Sequence, residues 1–183
     1  MRKNLGKKWQ FLPLPVVVIG TYDKNGKPNA MTAAWATVYD YGKVFASIDL
    51  GHLTAKNLKT SGCFTLAFTT KNTVKISDYL GMVSGKKIDK IKKLKLKVEK
   101  ASKINAPIFT KYPLVLECKI ISFKEGNLIG EIVNVNIDKA YLKPNGTIDT
   151  KKMELVVLDM ATNTYKILGK EVAKAFSVGL QLK

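Results

Sequence analysis

The run PVVVIGTYDKNGKPNAMTAAW, residues 15–35, decides the fold. Its first part, residues 16–22, is dense in β-branched side chains that suit a pleated strand. Asp23-Lys24-Asn25-Gly26 then supplies a turn, and Pro28 opens a second extended run to about Val38. The pair reads as a hairpin. Further strands are expected at 43–49 and 63–69, with a short helix at 53–60 between them and Thr54 as its N-cap.

Residues 73–82 read as a second helix. The Ser84-Gly85 turn follows, then KKIDKIKKLKLK (86–97), with Ile88, Ile91 and Leu94 at helical spacing beneath a wet lysine face. Strands return at 114–123 and 128–137 around the hairpin turn Glu125-Gly126-Asn127. A short strand at 153–160 and a final helix at 170–176 complete the reading. Strands joined by short turns, interrupted by two helical segments, point to a mainly β (α+β) fold. Its form is an antiparallel barrel with short helices covering the openings. A doubly wound parallel sheet is excluded, because helices do not alternate with strands. The 183 residues, 46% of them hydrophobic, fit one domain spanning 1–183.

The net charge of +17 invites a nucleic-acid reading. Arg2, however, is the only arginine among 31 basic residues, and arginine is the residue suited to forked base and phosphate contacts. The lysines are scattered along the chain. The aromatics Phe45, Phe64, Phe68 and Phe123 lie inside apolar runs rather than between basic residues, which disfavours a single-strand-binding barrel. Residues 1–12 lack a signal-peptide pattern, and no stretch of about 18 uncharged apolar residues exists. A cytoplasmic protein is expected. Cys63 and Cys118 sit in apolar runs as two small buried hydrophobes, without metal spacing.

No GxGxxG, P-loop, HExxH, CxxC or GxSxG motif is present, and His52 is the only histidine. No catalytic residue or metal ligand is assigned; if the chain is an enzyme, a cofactor carries its chemistry. Three segments could hold one. Asn29, Ala30, Met31, Thr32 and Ala33 form a strand of mostly small side chains, open either to a flat ligand or to a packed helix. Ser47, Ile48, Asp49, His52, Thr54 and Asn57 surround a strand-to-helix turn. Free N–H groups there suit a phosphate, and Thr54 equally suits its own helix as a cap. Ser84, Gly85 and Lys90 form a turn and helix start that could take an anion or simply present solvated lysines.

In this order, PVVVIGTYDKNGKPNAMTAAW, SIDLGHLTAKNL, SDYLGMVSGKKIDK, LECKIISFKEGNLIGEIVNV and LGKEVAKAFSVG resemble the flavin-reductase-like family, its flavoredoxin branch in particular. The resemblance implies an antiparallel Greek-key split barrel, bound FMN and a homodimer. It implies that residues 29–32 lie along the isoalloxazine ring. Ser47, His52, Thr54 and Asn57 would hold the phosphate, and residues 84–90 would close over the site. Many members carry arginine at or near the position of His52. The implied function is a flavoprotein oxidoreductase served by NAD(P)H or an acidic electron carrier. A non-enzymatic flavin-binding electron carrier is the alternative, and a basic nucleic-acid-binding barrel the less favoured one.

Overall fold

The computed structural model describes residues 1–8 and 10–182. After the short β1 (Leu14–Pro15), β2 (Val17–Tyr22) and β3 (Pro28–Ala33) pair antiparallel from Val17↔Ala33 to Tyr22↔Pro28. Their turn forms as expected. The Asp23 carboxylate accepts from the N–H groups of Asn25 and Lys27, each at 2.8 Å, and Gly26 takes φ +78°. The second run does not continue unbroken to Val38. It stops at Ala33, bends through Ala34-Trp35, and resumes as β4 (Ala36–Asp40), which turns back into β5 (Lys43–Ser47).

There follow α1 (Leu53–Ser61), β6 (Cys63–Phe68), α2 (Val74–Met82) and α3 (Lys90–Lys93). β7 (Val98–Lys100), β8 (Pro107–Phe109), β9 (Leu114–Lys124) and β10 (Asn127–Ile137) come next. A 3-10 turn (Lys139–Tyr141), α4 (Thr150–Met153), β11 (Val156–Asp159), β12 (Thr164–Ile167) and a second 3-10 turn (Val178–Leu182) follow. Seven strands make one antiparallel sheet in the order β3-β2-β6-β9-β10-β5-β4. Its two edge strands are therefore neighbours in the chain, joined by two residues. An extended chain of that length reaches at most about 11 Å from Ala33 to Ala36. The sheet must curl until its edges stand that close, and a half-barrel results.

The curl gives the sheet an inner and an outer face, and strand alternation fills both. Val17, Ile19, Ala46, Phe64, Leu66 and Leu128 share one core cluster. Val18, Ala30, Ala67 and Val115 point the other way, against Leu80 of α2, Ile91 of α3, and Ile108 and Phe109 of β8. A strand covered on both sides reads as an unbroken apolar run, which explains the VVVI of residues 16–19. Cys63 and Cys118 are buried as expected, and burial raises both thiols, Cys118 to about 12. Among the described residues no helix is long and apolar enough to cross a membrane.

Three expected elements differ. The lysine-rich stretch 86–97 is helical only over α3, where the Asp89 carboxylate caps the Lys92 N–H at 3.0 Å and Lys95 at φ +50° ends the turn. Lysines spaced three and four apart repel one another along a longer helix. The helix expected at 170–176 is absent. Val172 and Phe176 are fully exposed, so no apolar face supports so short a helix. The N-cap of α1 is His52, with no side-chain capping bond, rather than Thr54, which lies buried in the first turn. The small pairs β7-β8 and β11-β12, the latter joined by β1, lie outside the sequence reading apart from β11.

The β9–β10 turn buttresses the end of β5. Gly126 has φ +83°, its carbonyl accepts the Ile48 N–H at 2.8 Å, and a Cβ on it would meet the Ile48 carbonyl oxygen at 2.5 Å. Gly126→Ala is expected to destabilise the protein by roughly 1–3 kcal/mol, read as a lowered urea midpoint.

Candidate functional site

Alternation along β3 sends neighbouring residues to opposite faces. Asn29 and Met31 line a cleft whose other walls are His52, Leu53 and Thr54 at the start of α1, Leu80–Val83 around the end of α2, Ser84, Gly85 and Lys90. Ala30 is fully buried on the far side, and the Thr32 hydroxyl donates to the Ser77 carbonyl of α2. Gly81 faces Thr32 here, where a Cβ would stand at an ordinary contact distance of 3.4 Å. A second lobe opens beside the first and shares Asn29, Leu53, Gly85 and Lys90 with it. Asn57, Lys27, Lys86 and Ile88 are among its further walls.

Buried polar contacts hold this arrangement. Asn29 Nδ2 donates to Thr54 Oγ1 at 2.8 Å, tying β3 to α1. Asn57 Nδ2 donates to Thr21 Oγ1 at 3.1 Å, tying α1 to β2. In accepting, the Thr54 hydroxyl keeps its proton to donate. The Ser84-Gly85 turn lies so close to β3 that a Cβ on Gly85 would meet Asn29 Oδ1 at 2.5 Å and Leu53 Cδ2 at 3.0 Å. Bare backbone thus seals this wall.

Lys90 is the electrostatic centre of the cleft. Its side chain is only 4% exposed, and its Nζ donates to the Leu80 carbonyl at 2.8 Å. Among the described residues no carboxylate pairs with it; Asp89 instead binds Lys27 at 2.8 Å. Burial without a counter-charge pulls the Lys90 ammonium down to about 8. The first turn of α1 opens on the same cleft without a side-chain cap. A buried cation and uncapped helix N–H groups converging on one space form an anion-binding arrangement.

Seven of the expected residues line this cleft: Asn29, Met31, His52, Thr54, Ser84, Gly85 and Lys90. Asn57 lines the second lobe. Ala30, Ala33 and Ile48 are buried in the core, and Thr32 is turned to α2. Ser47 donates its N–H to the Trp35 carbonyl, and the Asp49 carboxylate accepts the Gly51 N–H at 2.6 Å. Their contribution is to the bend that leads into α1. Leu53, Leu80, Gly81, Met82 and Val83 were not foreseen. They adjoin Thr54 and Ser84 in the chain, and that adjacency is the signal the sequence offers for them.

A family model described as the flavin reductase like domain matches residues 9–155. The structure superimposes on the flavoredoxin of Desulfovibrio vulgaris (Miyazaki F) with a TM-score of 0.93 and 31% identity, covering 98% of this chain and 100% of that one. For the flavoredoxin from Methanosarcina acetivorans the TM-score is 0.89 and the identity 28%, over the whole of both chains. An FMN-binding domain of a flavin reductases-like enzyme from Shewanella baltica OS155 shares the fold alone, with a TM-score of 0.77 and 17% identity over 87% of this chain and 88% of that one. The curled sheet with its short helices is the split barrel of these proteins.

The Lys90 environment sets a pH dependence. Between about pH 8 and 10.5 the unfolded chain keeps a proton on this amine that the folded chain has released. Stability of the ligand-free protein therefore rises with pH across that window. Urea midpoints measured from pH 7 to 10.5 should show the rise in the wild type and a flatter profile in Lys90→Met.

Proposed function

This chain belongs to the flavin reductase-like domain family, and from that premise we propose that it binds FMN in the cleft between β3, α1 and α2 as an oxidoreductase that passes electrons. The observation that carries this reading is the unpaired buried ammonium of Lys90 beside the uncapped start of α1. Burying a charge without a partner is strongly unfavourable, so such a site is built for an anion. The donor set fits a flavin phosphate. Lys90, the Ser84 hydroxyl, the Thr54 hydroxyl and the first-turn N–H groups of α1 would hold it, with Asn57 behind them. Asn29 and Met31 would border the ring, and Gly85 would close over it. When bound, FMN supplies a group that takes up and releases electrons. The Shewanella baltica domain of the same fold is an FMN-binding one, in keeping with this cofactor.

The electron source on this reading is NAD(P)H or an acidic electron carrier, both anionic and both favoured by the charge of +17. The assembly is a homodimer. Val38 and Tyr39 on the edge strand β4, with Tyr41 beside them, and Val172 and Phe176 in the C-terminal segment are exposed apolar side chains that a second copy would cover.

Purified protein is expected to be yellow and to bind FMN at least about tenfold more tightly than riboflavin, since each charge-assisted hydrogen bond contributes roughly 1.5–3 kcal/mol. Fluorescence titration with both flavins checks this, and Lys90→Met should remove most of the difference. Equal dissociation constants in the wild type would contradict the phosphate assignment. Light scattering of the FMN-loaded protein at micromolar concentration should give twice the mass of one chain, and a monomer would rule out the dimer.

A further inference from the structure

We infer that the exposed lysines Lys86, Lys87, Lys92 and Lys93, with the exposed Met82 and Ile88 of the same stretch, form the docking surface for an acidic one-electron carrier protein. The inference rests on the flavin reading above and gives that site its partner. Residues 86–97 hold seven lysines and one carboxylate, Asp89, which is already neutralised by Lys27 at 2.8 Å. Lys90 turns inward to the cleft, while Lys86, Lys87, Lys92, Lys93, Lys95 and Lys97 stay exposed. The turn at 84–89 and the short α3 thus place an excess of positive charge beside the cleft, with Asp23 and Asp89 the carboxylates of the second lobe.

Two apolar side chains stand in the same stretch. Met82, on the wall of the first lobe, is 79% exposed, and Ile88, on the wall of the second, is 44% exposed. Exposed apolar side chains next to a run of like charge suit a small, transient protein interface: the charge steers the partner in and the apolar side chains supply contact. A nicotinamide needs neither the spread of lysines nor the exposed methionine. Nucleic acid is disfavoured, because lysine without arginine lacks forked recognition and Arg2 is far away in sequence. In each encounter one electron leaves the reduced carrier, which is oxidised, and enters the bound flavin, which is reduced. Two encounters supply two electrons, and the balancing protons come from water.

The test is stopped-flow reduction of the FMN-loaded protein by a reduced acidic ferredoxin at several salt concentrations. The wild-type rate should fall at least about tenfold as the Debye length shrinks from about 30 Å to 8 Å. The variant Lys86→Glu/Lys87→Glu/Lys92→Glu/Lys93→Glu should be at least tenfold slower at low salt and nearly independent of salt. A charge-matched variant at exposed Lys119, Lys139, Lys143 and Lys151 should stay within threefold of the wild type. Because Lys86 borders the second lobe, Lys87→Glu/Lys92→Glu/Lys93→Glu is measured as well, and it should keep most of the effect. Photoreduction by neutral deazariboflavin, which the lysines do not steer, should be unchanged in that triple variant. No reduction of the wild type by ferredoxin, a rate flat with salt, or equal slowing by the remote variant would overturn the docking surface. So would a stronger effect of the same charges on binding of single-stranded RNA than on ferredoxin. Loss of FMN binding in the wild type would instead overturn the flavin reading, which the titration above detects separately.

Discussion

Two residues, Ala34 and Trp35, hold the edges of a seven-stranded sheet together, and the rest of the molecule follows from that short link. A flat sheet would place β3 and β4 six strand spacings apart, at nearly 5 Å each. The chain between them spans less than half of that distance. Curling is therefore compulsory, and it creates an inner face lined by Ile19, Phe64 and Leu128 and an outer face that needs cover. The cover comes from α2, α3 and β8, and the strand that closes the barrel is also the strand against which α2 packs.

The cleft is a by-product of that cover. α1 packs against β2 and β3 through hydrogen bonds from Asn29 to Thr54 and from Asn57 to Thr21. α2 packs against β3 through Gly81 and Thr32. Where these two helices stop covering β3, the gap between them is the site, and Lys90 reaches into it from α3. Its partner, the Leu80 carbonyl, belongs to the last turn of α2, where helix carbonyls carry partial negative charge. One carbonyl orients the ammonium but does not neutralise it, so the gap keeps its attraction for an anion.

Much of this was legible in the sequence because much of it is local. Asp23, Gly26 and Gly126 mark turns through their own backbone and side-chain chemistry, and the runs around Val17 and Leu116 mark strands through β-branching. The break at Ala34-Trp35 was not legible, since it answers to the closure of a sheet whose other strands lie up to a hundred residues away. The long lysine helix and the helix at 170–176 fail for different reasons. Periodicity records what a helix could bury, but neither the repulsion among the lysines of the first nor the want of a surface to receive the second. The site was read as blocks, 29–33 and 47–57, whereas a strand can offer only alternate residues. Hence Asn29 and Met31 reach the cleft, while Ala30 and Ala33 serve the core. Lys90 is offered by the sequence through its place after the Ser84-Gly85 turn, and burial then separates it from the exposed lysines beside it.

The wall that Gly85 closes with bare backbone has an evolutionary consequence. A surface made of peptide groups is insensitive to the identity of the side chains beside it, provided the glycine itself is kept. Lys86, Lys87 and the exposed residues of α3 are then free to drift, exchanging charge, size or polarity, while the enclosure they border keeps its shape. Selection can in this way retune which molecules meet the protein at its rim without reopening the question of what it holds inside. The barrel has no such latitude. Replacing Gly20, Gly126 or Gly130 would press a new side chain against buried neighbours or backbone, so lineages of this fold should diversify at the rim long before they diversify in the sheet.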